Sequence, residues 1–264
     1  MISPHSILIT GASSGIGAAL AEHYAAAGVT LLLLGRDAAR LEAVADRCRA
    51  KAAVVIAESI DVRDRERMAE RIASLDAASP IDLVIANAGV SANGFNETAM
   101  QKKSVARMEA ASRAADDVFA INVQGVLNTI HPLIPRMVAR GSGHIAIMSS
   151  LAGICALPSA PAYSASKAAV RFYGDALRGM LKPHGVQVSV ICPGWITTPL
   201  TQKNTFPMPF MMSAERAASI IACGLRRKKS RIAFPRRLYF PLVMLAALPD
   251  FLTDAIFARL PKNG

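Results

Sequence analysis

The sequence predicts an α/β fold, a single doubly wound parallel sheet of about seven strands with helices on both faces. Three observations predict it. Short apolar runs alternate with amphipathic or charged stretches along most of the chain. One of those runs, VTLLLLG (29–35), is apolar without interruption, as a strand buried on both faces is. A Gly-rich turn, TGASSGIG (10–17), joins the first apolar run to the first helical stretch. Such alternation builds a parallel sheet that binds its ligands at the carboxyl ends of the strands. The 264 residues suffice for one domain with a sizeable core.

The elements follow in order. SILIT (6–10) is the first strand, and GIGAALAEHYAAAG (15–28) is an Ala-rich helix stopped by Gly28. VTLLLLG is the second strand. DAARLEAVADRCRAK (37–51) is an amphipathic helix, AVVIAESID (53–61) the third strand, and RDRERMAERIASLDA (63–77) a helix with a charged outer face. IDLVIANAG (81–89) is a fourth, buried strand. Residues Ala106 to Arg140 read as one long helix with a break near Asp116. HIAIMSS (144–150) is a strand, and residues 161–183 form a helix opened and closed by proline. VQVSVICPG (186–194) is a strand, SAERAASIIACGLR (213–226) a helix N-capped by Ser213, and SRIAFP (230–235) a short last strand. One domain therefore covers 1–235, with an apolar extension over 236–264.

Composition narrows the function classes. Hydrophobic residues make up 52% and charged residues 19%, a globular balance. No apolar run reaches 18 residues, so no transmembrane helix is expected. MISPHSILIT lacks a basic n-region and a cleavage site and reads as a strand, not a signal peptide. The four cysteines, Cys48, Cys155, Cys192 and Cys223, form no CxxC pair. That argues against a disulfide framework or zinc site and for a reducing cytoplasm. No histidine stands at metal-ligand spacing, and no metal is expected. The net charge of +11 is uneven: RRKKSRIAFPRR (226–237) carries seven basic residues and no acid. No nucleic-acid motif accompanies it, so it reads as a solvated basic face.

Two motifs carry chemistry. In TGASSGIG, Gly11, Gly15 and Gly17 would let the backbone pass close to a pyrophosphate and aim a helix N-terminus at it. The spacing is G-x-x-x-G-x-G. In AYSASKAAV (162–170), Tyr163 and Lys167 stand just over one helical turn apart and share a face.

These two motifs resemble those of the classical short-chain dehydrogenases/reductases, a Rossmann-type family. The likeness runs from about Ile7 to Leu200 and includes, in order, DV (61–62), NAG (87–89), the Asn of INVQG (121–125), SSLAG (149–153), YSASK (163–167) and PG with a following Thr (193–198). The resemblance implies that Tyr163 is the general acid/base and Lys167 its partner on the nicotinamide ribose. A cation one turn away would favour the phenolate and lower the tyrosine pKa. By the same resemblance Ser150 polarises the substrate carbonyl, with Ser149 as its neighbouring alternative. Asn122 kinks the long helix and holds a water in a proton relay. Ser13, Ser14 and Ile16 line the glycine turn. Asp61 and Val62 meet the adenine, Asn87, Ala88 and Gly89 lie by its ribose, and Pro193, Gly194, Ile196 and Thr198 meet the carboxamide.

Cofactor choice turns on the end of the second strand. There the chain reads Gly35, Arg36, Asp37, and an arginine suits a 2′-phosphate, so NADP(H) is preferred. NAD(H) stays possible through Asp37, and Ser14 stands where some family members carry a basic residue. The loop LTQKNTFPMPFMM (200–212), with Phe206, Met208, Phe210, Met211 and Met212, implies an apolar lid and an apolar carbonyl or alcohol substrate, or packing against the protein or a second subunit. The segment LYFPLVMLAALPDFLTDAIFARL (238–260) covers the pocket, packs in a dimer, or lies on a membrane interface. The family likeness implies a homodimer or homotetramer.

Overall fold

The computed structural model describes residues 4–91, 105–202 and 207–258. Phe206 of the expected lid lies outside them. Seven strands form one parallel sheet: β1 (Ser6–Thr10), β2 (Thr30–Gly35), β3 (Val54–Ser59), β4 (Leu83–Ala86), β5 (Gly143–Met148), β6 (Val186–Pro193) and β7 (Arg231–Phe234). Their order is β3-β2-β1-β4-β5-β6-β7. Leu8 of β1 stands opposite both Leu32 of β2 and Val84 of β4. The chain reverses direction across the sheet between β1 and β4, and this switch point opens a crevice at the strands' carboxyl ends.

Strand periodicity sorts the core. Ile7, Ile9, Leu31 and Leu33 point to one side, where α1 (Gly15–Tyr24), α2 (Ala38–Arg49) and α8 (Ala214–Arg226) pack. Leu8, Leu32 and Leu34 point to the other, toward α3 (Arg65–Ala78) and the helices after β4. Those are α4 (Val105–Phe119), α5 (Gly125–Ile130), α6 (Ile134–Arg140) and, between β5 and β6, α7 (Pro161–Leu181). Two further helices, α9 (Arg236–Leu245) and α10 (Asp250–Ala258), end the described chain.

The expected long helix is interrupted elsewhere than at Asp116. It runs through that residue and widens at Ala120–Gln124 into a π-turn, in which the Gly125 N–H reaches back to the Ala120 carbonyl. A second interruption, His131–Leu133, contains Pro132, which offers no amide for a continued helix. The basic run 226–237 is divided too. Arg231 lies in β7 and pairs with Asp175 at 2.5 Å, with Arg226–Lys229 before the strand and Arg236 and Arg237 after it.

One buried carboxylate ties the α3 end to α6. Asp76, 4% exposed, accepts from the Ile81 amide at 2.9 Å and from Arg140 Nη1 at 2.7 and 2.9 Å. Removing it strands a half-buried guanidinium and a buried amide. Asp76→Ala is expected to cost about 2–3 kcal/mol in urea unfolding. A cost within experimental error would mean that water replaces the carboxylate.

Candidate active site

The switch-point crevice is a cleft of about 1080 Å³. Its first wall is the turn after β1. Gly11 and Gly15 adopt φ of +65° and +56°, which disfavour any side chain. A Cβ on Gly17 would lie 2.3 Å from the Gly11 carbonyl, so only glycine lets α1 start this close to the strand. No side chain caps α1: Ser14, its N-cap, makes no capping bond. The first amides of the helix have no intrahelical acceptor and begin at the cleft wall. Asn87 braces the turn, its Nδ2 donating to the Thr10 carbonyl at 2.9 Å, while the Asn87 and Ala88 amides donate to Thr10 Oγ1 at 3.1 and 3.2 Å. Ser13, Ile16, Ala88 and Gly89 line the same wall.

The opposite wall is β5 with α7. Lys167 Nζ lies 5.8 Å from the centre of the Tyr163 ring, so the two share a helix face. Lys167 is 3% exposed, and Nζ donates to the Met148 carbonyl at 3.0 Å. Burial lowers its pKa to about 8. Burial also pushes the Tyr163 phenol above its ordinary range, with the Ser150 hydroxyl pulling the other way. The lowering expected from Lys167 is not seen: burial sets the direction, and the opposing pull comes from Ser150. Tyr163 is half-buried and lines the cleft.

The two serines after β5 separate by their bonds. Ser149, 1% exposed, donates from Oγ to the Lys167 carbonyl at 2.7 Å and serves the helix. Ser150 lines the cleft; its Oγ accepts from the Ala152 amide at 3.2 Å and sits 3.5 Å from the Pro193 carbonyl. Asn122, in the π-turn and fully buried, clamps Val90: Oδ1 accepts from its amide at 2.8 Å and Nδ2 donates to its carbonyl at 2.9 Å. Nδ2 also donates to Ser166 Oγ at 3.0 Å, and Ser166 Oγ donates to the Tyr163 carbonyl at 2.8 Å. Sequence reasoning missed Ser166, although it lies inside YSASK.

The remaining expected residues divide by what they already hold. β2 ends at Gly35. Asp37 caps α2, accepting from the Arg40 amide at 2.9 Å and from Arg40 Nε at 2.6 Å. Arg36 and Arg40 both border the cleft, and Arg40 is the second cation that the sequence reading of 35–37 stopped short of. Asp61 and Val62 line the cleft beside it. Arg63, at 2.8 Å from Asp61 Oδ2, holds that carboxyl below the usual range. From the end of β6 onward, Pro193, Gly194, Ile196 and Thr198 reach the cleft, and the Thr198 methyl lies 3.0 Å from where a Gly15 Cβ would be. The Ile196 carbonyl accepts from Thr201 Oγ1 at 2.6 Å. Leu238, Leu242 and Phe257 of the C-terminal helices complete the rim.

A family model described as short chain dehydrogenase matches residues 5–207. The chain belongs to the short-chain dehydrogenases. It is accordingly an oxidoreductase of the alcohol–carbonyl type. An uncharacterized oxidoreductase of Myxococcus xanthus is 37% identical over 98% of both chains. Among solved structures, a short-chain dehydrogenase from Sphingobium yanoikuyae in complex with NADPH superposes with a TM-score of 0.77 at 24% identity, covering 97% of this chain and 96% of that one. A 3-ketoacyl-ACP reductase from Sinorhizobium meliloti superposes with a TM-score of 0.71 at 30% identity, covering 87% and 96%.

The buried ammonium of this dehydrogenase has a measurable signature. The unfolded chain keeps the Lys167 proton to about pH 10. The folded protein releases it near 8. The unfolded state binds more protons between those values, so stability rises with pH across that window and the penalty is fully present below it. Relative to Lys167→Met, the native protein is expected to gain about 1–3 kcal/mol between pH 8 and 10 in denaturant unfolding. A pH-independent difference would contradict the depressed pKa.

Proposed function

We propose that the protein is an NADP(H)-dependent oxidoreductase that interconverts a carbonyl and an alcohol on an apolar substrate. One observation carries the reading: the uncapped Gly-rich helix start, Arg36 with Arg40, and Ser150 with Tyr163 and Lys167 all border one cleft. The residues suit a nicotinamide dinucleotide. Gly11, Gly15 and Gly17 leave room for a pyrophosphate at the α1 N-terminus. Lys167, with three donors, would hold ribose hydroxyls. Asp61, Val62, Asn87, Ala88 and Gly89 would surround the adenosine, and Pro193, Gly194, Ile196 and Thr198 the carboxamide. When bound, the cofactor supplies or removes the hydride.

The chain's own residues manage the proton. Ser150 Oγ, held at the end of β5, donates to the substrate oxygen and orients it. In reduction Tyr163 gives its proton to that oxygen. A raised phenol pKa keeps Tyr163 protonated at neutral pH, which suits donation. A protonated Lys167 favours the phenolate that results, and its pKa of about 8 lets it pass a proton on near neutrality. The Asn122 side chain is spent on Val90 and Ser166, so it acts as a positioning group, and any relayed water would meet its backbone.

NADP(H) is favoured over NAD(H) because Asp37 is committed to its cap while Arg36 and Arg40 supply cations. The ketoacyl reductase name of the Sinorhizobium relative supports carbonyl chemistry. Leu200, Leu238, Leu242 and Phe257 around the cleft support an apolar substrate. The outer faces of α4 and α7 expose Phe119, Phe172 and Met180, which suits a homodimer or homotetramer.

Paired titrations test the cofactor. Arg36→Ala is expected to weaken NADPH binding about 10- to 100-fold and leave NADH within a few-fold. A preference for NADH in the native protein would shift the specificity to Asp37. For the reaction, Tyr163→Phe is expected to lower kcat about 10²- to 10⁴-fold with an apolar ketone that the native enzyme reduces. Ser150→Ala should act on kcat, and Ser149→Ala chiefly on thermal stability. Equal kcat losses without a stability change would undo the separate roles of the two serines.

A further inference from the structure

Helices α9 and α10 are apolar on two sides. Their inner side is used: Leu238, Tyr239 and Leu242 pack on Leu151, Val190 and Cys192, while Leu238, Leu242 and Phe257 border the cleft. Their outer side is not. Phe240, Val243 and Met244 recur at helical spacing on α9, and Leu248, Phe251, Leu252 and Ile256 continue the pattern toward α10, all exposed. Phe240 is 58% exposed, Met244 73% and Phe251 71%. Leu200 joins Leu238, Leu242 and Phe257 on the cleft border and is itself exposed, as are Phe210 and Met211 of the same loop region. Apolar residues thus border the cleft on the inner side of these helices and stand exposed in number on their outer side. Exposed apolar side chains grouped on one helix face mark a binding face.

We propose that α9 and α10 dock this protein on an anionic lipid surface, with the cleft entrance at the lipid. Three features select lipid over a second copy of the chain. The helices have 10 and 9 residues, suited to lying in an interface, and no described helix is long and apolar enough to cross a membrane. The chain carries a net charge of +11, and Arg236 and Arg237 stand exposed at the start of α9, beside Phe240 on the outer side. An anionic bilayer attracts a chain of this net charge. Asp250 and Asp254, both exposed on α10, equal Arg236 and Arg237 in number, so the attraction is that of the whole chain, with the two arginines grouped at the start of α9. Finally, a protein packed flat on this side would stopper the cleft, whereas a fluid apolar phase keeps it open to substrate dissolved in the membrane. Docking needs no turnover, so it stands or falls apart from the reaction proposed above.

Cosedimentation of the full chain with vesicles tests it. One set is phosphatidylcholine alone, the other equal parts of phosphatidylcholine and phosphatidylglycerol. The native protein is expected to sediment with the anionic set, less with the neutral set, and less in high salt. Phe240→Ser with Met244→Ser and Phe251→Ser should lower the partition coefficient at least about tenfold, with an unchanged circular dichroism spectrum, since these side chains are exposed. Arg236→Gln with Arg237→Gln should lower it severalfold on the anionic set only. Absence of native sedimentation with the anionic set, or undiminished binding by the triple variant, overturns the proposal. A triple variant that falls to a smaller oligomer in gel filtration, while native protein ignores vesicles, overturns it in favour of a second copy.

Discussion

A buried ammonium governs the centre of this fold. Lys167 is almost fully removed from water, and one backbone carbonyl, that of Met148, accepts from it. Burying a cation is costly unless its surroundings are fixed around it. The surroundings are accordingly tight. A Cβ on Gly153 would fall 2.6 Å from the Lys167 carbonyl carbon, and one on Gly89 would fall 3.2 Å from Nζ. Ser149 ties the Lys167 carbonyl to the end of β5. Helix α7 therefore has one seat on the sheet, and Tyr163, one turn earlier, inherits its position from that seat.

A second set of bonds reaches the same helix from its neighbour on that face of the sheet. The π-turn after α4 adds a residue to the helical path and turns Asn122 inward. Asn122 then joins the segment after β4, through Val90, to α7, through Ser166. A peptide break near Val90 would loosen Tyr163 without touching it. Thr10 and Asn87 do the equivalent work for the glycine turn, joining the ends of β1 and β4 where the sheet reverses.

Much of this was legible in the sequence because it obeys short-range rules. Uninterrupted apolar runs became buried strands, Ser213 became a cap, and Tyr163 and Lys167 fell on one face. Helical periodicity put the break in the long helix near Asp116, whereas it lies at Asn122, the residue the family likeness named as the kink; a π-turn answers to a distant partner, Val90, that local periodicity does not encode. The short last strand inside the basic run was legible, but the pairing of its Arg231 with Asp175, 56 residues away, was not, so the run read as one solvated face. The direction of the Tyr163 shift was misjudged because spacing shows a nearby cation but not the depth of burial. Arg40 is not marked by the strand-end pattern at 35–37, because it is the helix after the strand that brings a second cation to the cleft.

The part of the cleft rim formed by Leu238, Leu242 and Phe257 comes from neither the sheet nor the helix that carries Tyr163. It comes from the end of the chain, after the last strand. The family match stops at residue 207, so these three rim residues lie beyond the part of the chain that the family model describes. The same layout matters at the bench: truncation before α9 would remove one side of the entrance and leave the sheet and the helix of Tyr163 in place.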